Sequence, residues 1–231
     1  MTDPGDAGRF DAAIFDFGGV LTSPIRASFA AFERELGVPE LAILEAFRSS
    51  ITEGEEPSFF RLERGEISEG DFYRDMHARL CAYLGHQVPF PDDPVEVRRR
   101  MFGALERNEP MIEAAHRIAG HYKTAILTNN VKEWTEWRDW VQAHVFDHII
   151  DSSEVGMRKP EEAIYRLTCQ RLGVEPSRAV FVDDIHDNVT GAAAVGLHAI
   201  HFTDTHEVLE QLRPLFPRAF DVHPKAANGH A

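Results

Sequence analysis

The chain has 231 residues, 38 of them acidic and 24 basic or guanidinium-bearing, for a formal charge of −14 at pH 7. That length suits one domain with an insertion, or two small ones, and allows a sizeable core. The charge argues against nucleic acid or an anionic membrane surface as partners. No stretch approaches the roughly 20 apolar residues of a bilayer span, and residues 1–6 lack the basic and apolar parts of a secretion signal. The two cysteines, Cys81 and Cys169, are too far apart to suggest a disulfide framework or a zinc site, and read as small buried hydrophobes in a reduced compartment. A soluble cytoplasmic protein is expected, with neither nucleic acid nor membrane as a partner.

Residues 1–9 are polar and expected to be loose. An apolar run, Ala12-Ala13-Ile14-Phe15, then gives a first strand at about 11–16 that ends on Asp16. More than 100 residues separate it from the next strand, far more than the dozen or so that a simple crossover needs. Much of that stretch has helical periodicity. Phe29, Phe32 and Leu36 mark a helix over 26–36 stopped by Gly37, and Leu41, Leu44 and Phe47 mark another over 40–48. Ser68 with Asp71 resembles a capping box and opens a helix through Leu84, while Asp93-Pro94 opens one reaching 107. Together these predict a helical cap at about 23–105. Beyond it, helices at 110–120, 131–143, 160–172 and 188–195 alternate with strands at 123–128, 148–151, 179–183 and 198–202. Such alternation predicts an α/β fold, a parallel sheet with right-handed crossovers built from 10–22 and 106–216. Residues 217–231, rich in Pro, His, Ala and Gly, predict a loose tail.

Chemistry-bearing residues sit at the strand ends. Asp16 opens the loop Phe17-Gly18-Gly19-Val20-Leu21-Thr22, where open α/β sheets hold ligands and where a carboxylate can act as a nucleophile. Thr128-Asn129-Asn130 closes the second strand, Arg158-Lys159-Pro160 precedes a helix, and Asp183-Asp184 closes a third apolar run with Asn188 following. In that order the four segments resemble the motifs of the haloacid-dehalogenase superfamily, over roughly residues 10–205. Phe15-Asp16-Phe17-Gly18-Gly19-Val20-Leu21 and the cap phrase Glu63-Arg64-Gly65-Glu66-Ile67-Ser68 resemble the subgroup that holds the N-terminal phosphatase domain of soluble epoxide hydrolase.

The resemblance implies a Rossmann-like parallel sheet with helices on both faces and an inserted cap. It also implies a Mg²⁺-dependent phosphatase acting on a small phosphate ester, such as a sugar phosphate, through an aspartyl-phosphate intermediate. Asp16 would be the nucleophile. Thr128 and a backbone N–H at Asn129 would hold phosphate oxygen, and Lys159 would neutralise nucleophile and phosphoryl group together. Asp16, the Gly18 carbonyl and Asp184 would hold the metal, with Asp183 and Asn188 behind them and Arg158 a solvated neighbour. Gly18 departs from the family pattern, in which most phosphatases place a second Asp that protonates the leaving oxygen. A water, His186 or a cap acid could replace it. A metal-free dehalogenase, or a weakly catalytic phosphate-binding protein, are the competing readings; the clustered acids argue against the first, and Gly18 alone supports the second.

Nothing in 23–105 spells a ligand, so Arg26, Arg61, Arg64 and His77 are only candidates for substrate contact. Trp134, Trp137 and Trp140, three apart, read as core packing ahead of a dimer face, so the chain is expected to be a monomer or homodimer. His198 and His201 read as structural.

Overall fold

A computed structural model of the protein describes residues 9–50 and 56–220. After β1 (Ala12–Phe15) come five helices, α1 (Ile25–Leu36), α2 (Ala42–Ser50), α3 (Ser58–Glu63), α4 (Glu69–Leu84) and α5 (Pro94–Phe102). The chain then continues through α6 (Glu109–Ala119), β2 (Lys123–Thr128), α7 (Trp137–Trp140), β3 (His148–Asp151), α8 (Ser152–Val155), α9 (Glu162–Leu172) and β4 (Ala179–Asp183). It ends with α10 (His186–Val195), β5 (His198–His201), α11 (Thr205–Leu215) and α12 (Pro217–Phe220).

The five strands form one parallel sheet in the order β3-β2-β1-β4-β5. β1 is central, with Ile14 opposite Ala125 of β2 and Phe181 of β4. Its alternating side chains feed two cores. Ala13 and Phe15 join Met111, Ile118, Trp137 and Phe216 on one face, while Ala12 and Ile14 join Leu127, Ile164, Tyr165 and Phe181 on the other. Burial on both faces is why the strands read as continuous apolar runs. β1 also lies where the connections reverse direction across the sheet, the position at which such folds leave a crevice beyond the strand ends.

Helices α1–α5 bury a third apolar cluster of their own, including Phe32, Leu62, Phe72, Met76, Leu80 and Met101. Ser68 caps α4 by accepting from Asp71 N, and Asp93 caps α5 by accepting from Val95 N. Two strands of chain lead in and out of this bundle. They are joined by an antiparallel bridge between Thr22 and Arg107, with Ser23 N donating to Glu106 O at 2.8 Å and Asn108 N to Leu21 O at 3.0 Å.

Some expected elements differ. The helix expected at 131–143 is reduced to α7, followed by a 3₁₀ turn at Ala143–Val145. Asn130 Nδ2 donates to Trp134 O and Gln142 takes φ 48°, so the segment turns twice instead of running straight. Those turns bury Trp134 and Trp137 in the core, with Trp140 half-buried against it, which is the packing reading of the three tryptophans. The helix opened by Asp93-Pro94 stops at Phe102 rather than at 107, because the chain must turn back to make the bridge at Arg107. Pro217–Phe220, expected to begin a loose tail, forms a helical turn with the Arg218 guanidinium 4.5 Å from the Tyr122 ring centre. The rest of that expected tail, 221–231, and the expected loose residues 1–8 lie outside the described residues. Helices α3, α8 and α11 were not expected.

Candidate active site

Asp16, Lys159 and Asp183 meet at the C-terminal ends of the central strands. Lys159 Nζ lies 2.7 Å from Asp16 Oδ1 and 2.6 Å from Asp183 Oδ2, and its side chain is 1 % exposed. The ammonium is held from its backbone as well. Lys159 N donates to Asn129 Oδ1 at 2.8 Å, and Asn129 Nδ2 donates to Lys159 O at 3.0 Å. The amide side chain of Asn129 therefore serves to place Lys159, a role the sequence did not suggest. Thr128, at the end of β2, is buried, and its hydroxyl makes only a long 3.5 Å contact to Asn129 O. Asn130 is tied to the end of β3, with its N–H on Ser152 Oγ and its Nδ2 on Asp151 Oδ2.

The adjacent acids Asp183 and Asp184 differ sharply. Asp183 is fully buried and accepts from Lys159 Nζ, from Ile185 N at 2.8 Å and from Asn188 Nδ2 at 3.0 Å. Its oxygens are saturated with donors. Asp184 is only half-buried, and its carboxylate reaches over Gly19. Gly19 has φ +81°, and a Cβ there would overlap Asp184 Oδ2, so both conformation and space require glycine at that position. Gly18, by contrast, is outside the left-handed region. A Cβ there would overlap Ile25 Cδ1, the far end of a flexible side chain that can turn aside.

Burial pushes the Asp16 carboxyl well above its usual range; Lys159 opposes that shift, and Asp183 and Asp184 add to it. Burial, reinforced by Asp183, pushes Asp184 up to about 6. Burial works against the charge on Lys159, but Asp16 and Asp183 outweigh it and hold the ammonium protonated. Crowded, desolvated carboxylates of this kind favour a cation. Asp16, Asp183 and Asp184 offer oxygens that all lie within 4.8 Å of one another. A hard, oxygen-only donor set suits Mg²⁺.

The candidates for the missing acid are not brought to Asp16 by any described contact. His186 is exposed, with its ring 5.7 Å from that of His201, whose Nε2 meets Asp184 O at 3.0 Å. His198 stands in β5 with its ring 5.1 Å from that of Phe10. In the cap, His77 is bound to Val88 O and stacked on Phe90. Arg61 pairs with Glu66, and Arg26 is exposed.

Arg158 was expected to be a solvated neighbour. It is instead 11 % exposed, donates from Nε to Glu63 at 2.5 Å, and lies 3.8 Å above the Phe60 ring. The reason is α3, which carries both partners and was not seen in the sequence because one short turn of helix leaves no periodic signal. Arg64 also crosses to the sheet side, reaching Glu161 at 3.3 Å.

The chain matches the haloacid dehalogenase-like hydrolases over residues 10–196. It is 31 % identical over 213 residues to bifunctional epoxide hydrolase 2 of Sus scrofa, an alignment covering 87 % of this chain and 38 % of that protein. The chain thus spans about two-fifths of the length of this relative. It is 27 % identical over 212 residues to a sesquiterpene phosphatase of Aspergillus oryzae, covering 89 % of this chain and 96 % of the relative. Among solved structures, a mutant enzyme of this family from Bacteroides thetaiotaomicron, in complex with magnesium and inorganic phosphate, has a similar fold. The TM-score is 0.64 at 19 % identity, covering 87 % of this chain and 98 % of the other. The match over most of the chain, on the parallel sheet and strand-end residues described above, makes this protein a member of the haloacid dehalogenase-like hydrolase family.

Proposed function

We propose that the protein is a phosphomonoesterase that hydrolyses a small phosphorylated metabolite in two steps at Asp16. The observation that carries this reading is the buried Asp16–Lys159–Asp183 chain with Asp184 beside it, all at the ends of central strands. Asp16 attacks phosphorus in line, and the bond to the leaving oxygen breaks. Water then attacks the phosphorus of the aspartyl phosphate, releasing inorganic phosphate and restoring Asp16.

Lys159 offsets the negative charge of nucleophile and phosphoryl group, which matters in a chain of net charge −14. The Thr128 hydroxyl and the backbone N–H of Asn129 hold a phosphate oxygen, while the Asn129 side chain keeps Lys159 in place. Asp16, Asp184 and the Gly18 carbonyl would hold Mg²⁺, which when bound supplies positive charge to the phosphoryl oxygens. Asp183 and Asn188 orient the site from behind. Residues 23–105 are read as a cap that excludes water and chooses the substrate. Ile25 gives the leaving-group side of Gly18 an apolar wall, so the proton for the leaving oxygen comes from water or another group.

The test is phosphate release from a panel of phosphorylated metabolites, with Mg²⁺ and with a chelator. Mg²⁺-dependent release that is lost on chelation supports the reading. Activity that survives chelation on a haloacid, with no phosphate released from any ester, replaces it with the dehalogenase chemistry.

A further inference from the structure

The cap phrase Glu63-Arg64-Gly65 has a common target. Glu63 receives the Arg158 guanidinium, Arg64 reaches Glu161, and Gly65 lies against the backbone of Ser153. Gly65 has φ +69°, and a Cβ there would come within 2.5 Å of Ser153 O, so the turn docks tightly. All three partners belong to the segment 153–161, and Lys159 sits inside it. We propose that Glu63, acting through Arg158, is a positioning residue that fixes where Lys159 places its ammonium. The proposal rests on the phosphatase reading above and deepens it.

The physical case is one of constraint. Lysine is a point charge on a flexible four-carbon stem, so its placement depends on what holds its backbone. Asn129 holds the Lys159 peptide from the β2 side through two hydrogen bonds. Glu63 holds the preceding residue from the cap side, with Phe60 closing over the guanidinium. Neither Glu63 nor Arg158 touches Asp16, Asp183 or Asp184 in any described contact. Burying a carboxylate until it is only 8 % exposed is costly, and exposed glutamates on either side of α3, Glu56 and Glu66, pair with Arg64 without that cost. A cap that needed only to adhere could have used such surface pairs. With the latch in place, the cap's position is coupled to the charge beside the nucleophile, and small misplacements of such a group are expensive in rate.

The experiment compares wild type, Glu63→Gln, Arg158→Met, Arg158→Lys and the Glu63→Gln/Arg158→Met double variant, using 4-nitrophenyl phosphate with saturating Mg²⁺ and inorganic phosphate as inhibitor. Glu63→Gln keeps the shape and loses the charge. It should lower kcat about ten-fold, with KM and the inhibition constant of inorganic phosphate both within about two-fold, because the misplaced charge is missed most in the transition state. Arg158→Lys should recover part of the loss seen in Arg158→Met, and the double variant should be no worse than the weaker single one. Amide hydrogen exchange should quicken in 156–161 and stay unchanged in β1 and β4. Unchanged kcat in folded Glu63→Gln, or a rise in KM alone, overturns the proposal and leaves Glu63 a structural or gating contact. Should one variant fail to fold, the other still decides through kcat and exchange. If wild type releases no phosphate from any ester, the phosphatase reading falls and this proposal with it; if wild type is active and both variants match it, only this proposal falls.

Discussion

The strand ends and the α1–α5 bundle handle charge in opposite ways. At the ends of β1 and β4, Lys159 and Asp183 are at most 1 % exposed, and both are tied by several short hydrogen bonds to backbone and side chains of neighbouring loops. Across α1–α5 most ion pairs are exposed, such as Arg99 with Glu96 and Arg48 with Glu45, and pairs of that kind are worth about 0–1 kcal/mol. Two pairs break the pattern: Arg98 with Glu69, beside Glu133 and Glu136 of the segment leading into α7, and Glu63 with Arg158 of the segment leading into α9. Among the described residues, buried ion pairs therefore gather at the strand ends and at the seams between α1–α5 and the rest of the fold, whereas the buried carboxylates of Glu33 and Asp151 accept from backbone N–H groups.

Replacing Asp16 tests the first place most severely. Asp16→Asn keeps the shape and removes the proposed nucleophile, so turnover should fall by more than about a hundred-fold in a folded protein, a rate assay beside a circular-dichroism melt deciding it. The neighbouring acids should then part company. Asp183→Ala strands Lys159 with a single carboxylate and should lower stability by about 3 kcal/mol in urea, since it breaks a buried pair. Asp184→Ala removes a crowded, desolvated charge and should leave stability unchanged or raised, while greatly increasing the Mg²⁺ concentration needed for activity. Equal effects of the two in both measurements would erase the distinction drawn between them.

Gly18→Asp probes the apolar wall. Only the movable end of Ile25 occupies the space, so the single substitution should fold, and Ile25→Ala beside it should enlarge the selective gain on alkyl over aryl esters. A selective gain in the single variant would show that Ile25 moves aside easily. Another test concerns Glu63 and pH. Burial pushes Glu63 up to about 7 against the pull of Arg158, Lys159 and Arg64. A carboxyl raised in the fold binds its proton more tightly there than in the unfolded chain, so stability declines as pH rises from about 4.5 to 7. Glu63→Gln removes that decline. Its melting temperature should gain on wild type between pH 5 and pH 8, and a constant difference across that range would mean Glu63 ionises normally.

The sheet and the polar residues at its strand ends were legible in the sequence because the physics there is local. Strands buried on both faces give apolar runs such as 123–128 and 179–183, and Asp16 and Asp183 stand at the ends of such runs. Capping at Ser68 and Asp93 was equally visible. What escaped was non-local. Arg158 read as solvated because its partners, Glu63 and Phe60, lie about a hundred positions away on a six-residue helix with no period. The side-chain role of Asn129 depends on the approach of a loop 30 residues further on. The need for glycine at Gly19 was equally hidden, because the Asp184 carboxylate that leaves no room for a Cβ there comes from beyond β4, far along the chain.

The most direct test of the central proposal is to quench the enzyme with acid during turnover of a phosphate ester and map the labile phosphoryl group by mass spectrometry. The proposed chemistry places it on the peptide carrying Asp16, and only when Mg²⁺ is present. Steady turnover with no phosphoryl group on that peptide, or with one on a different residue, would contradict the assignment of Asp16 as the nucleophile.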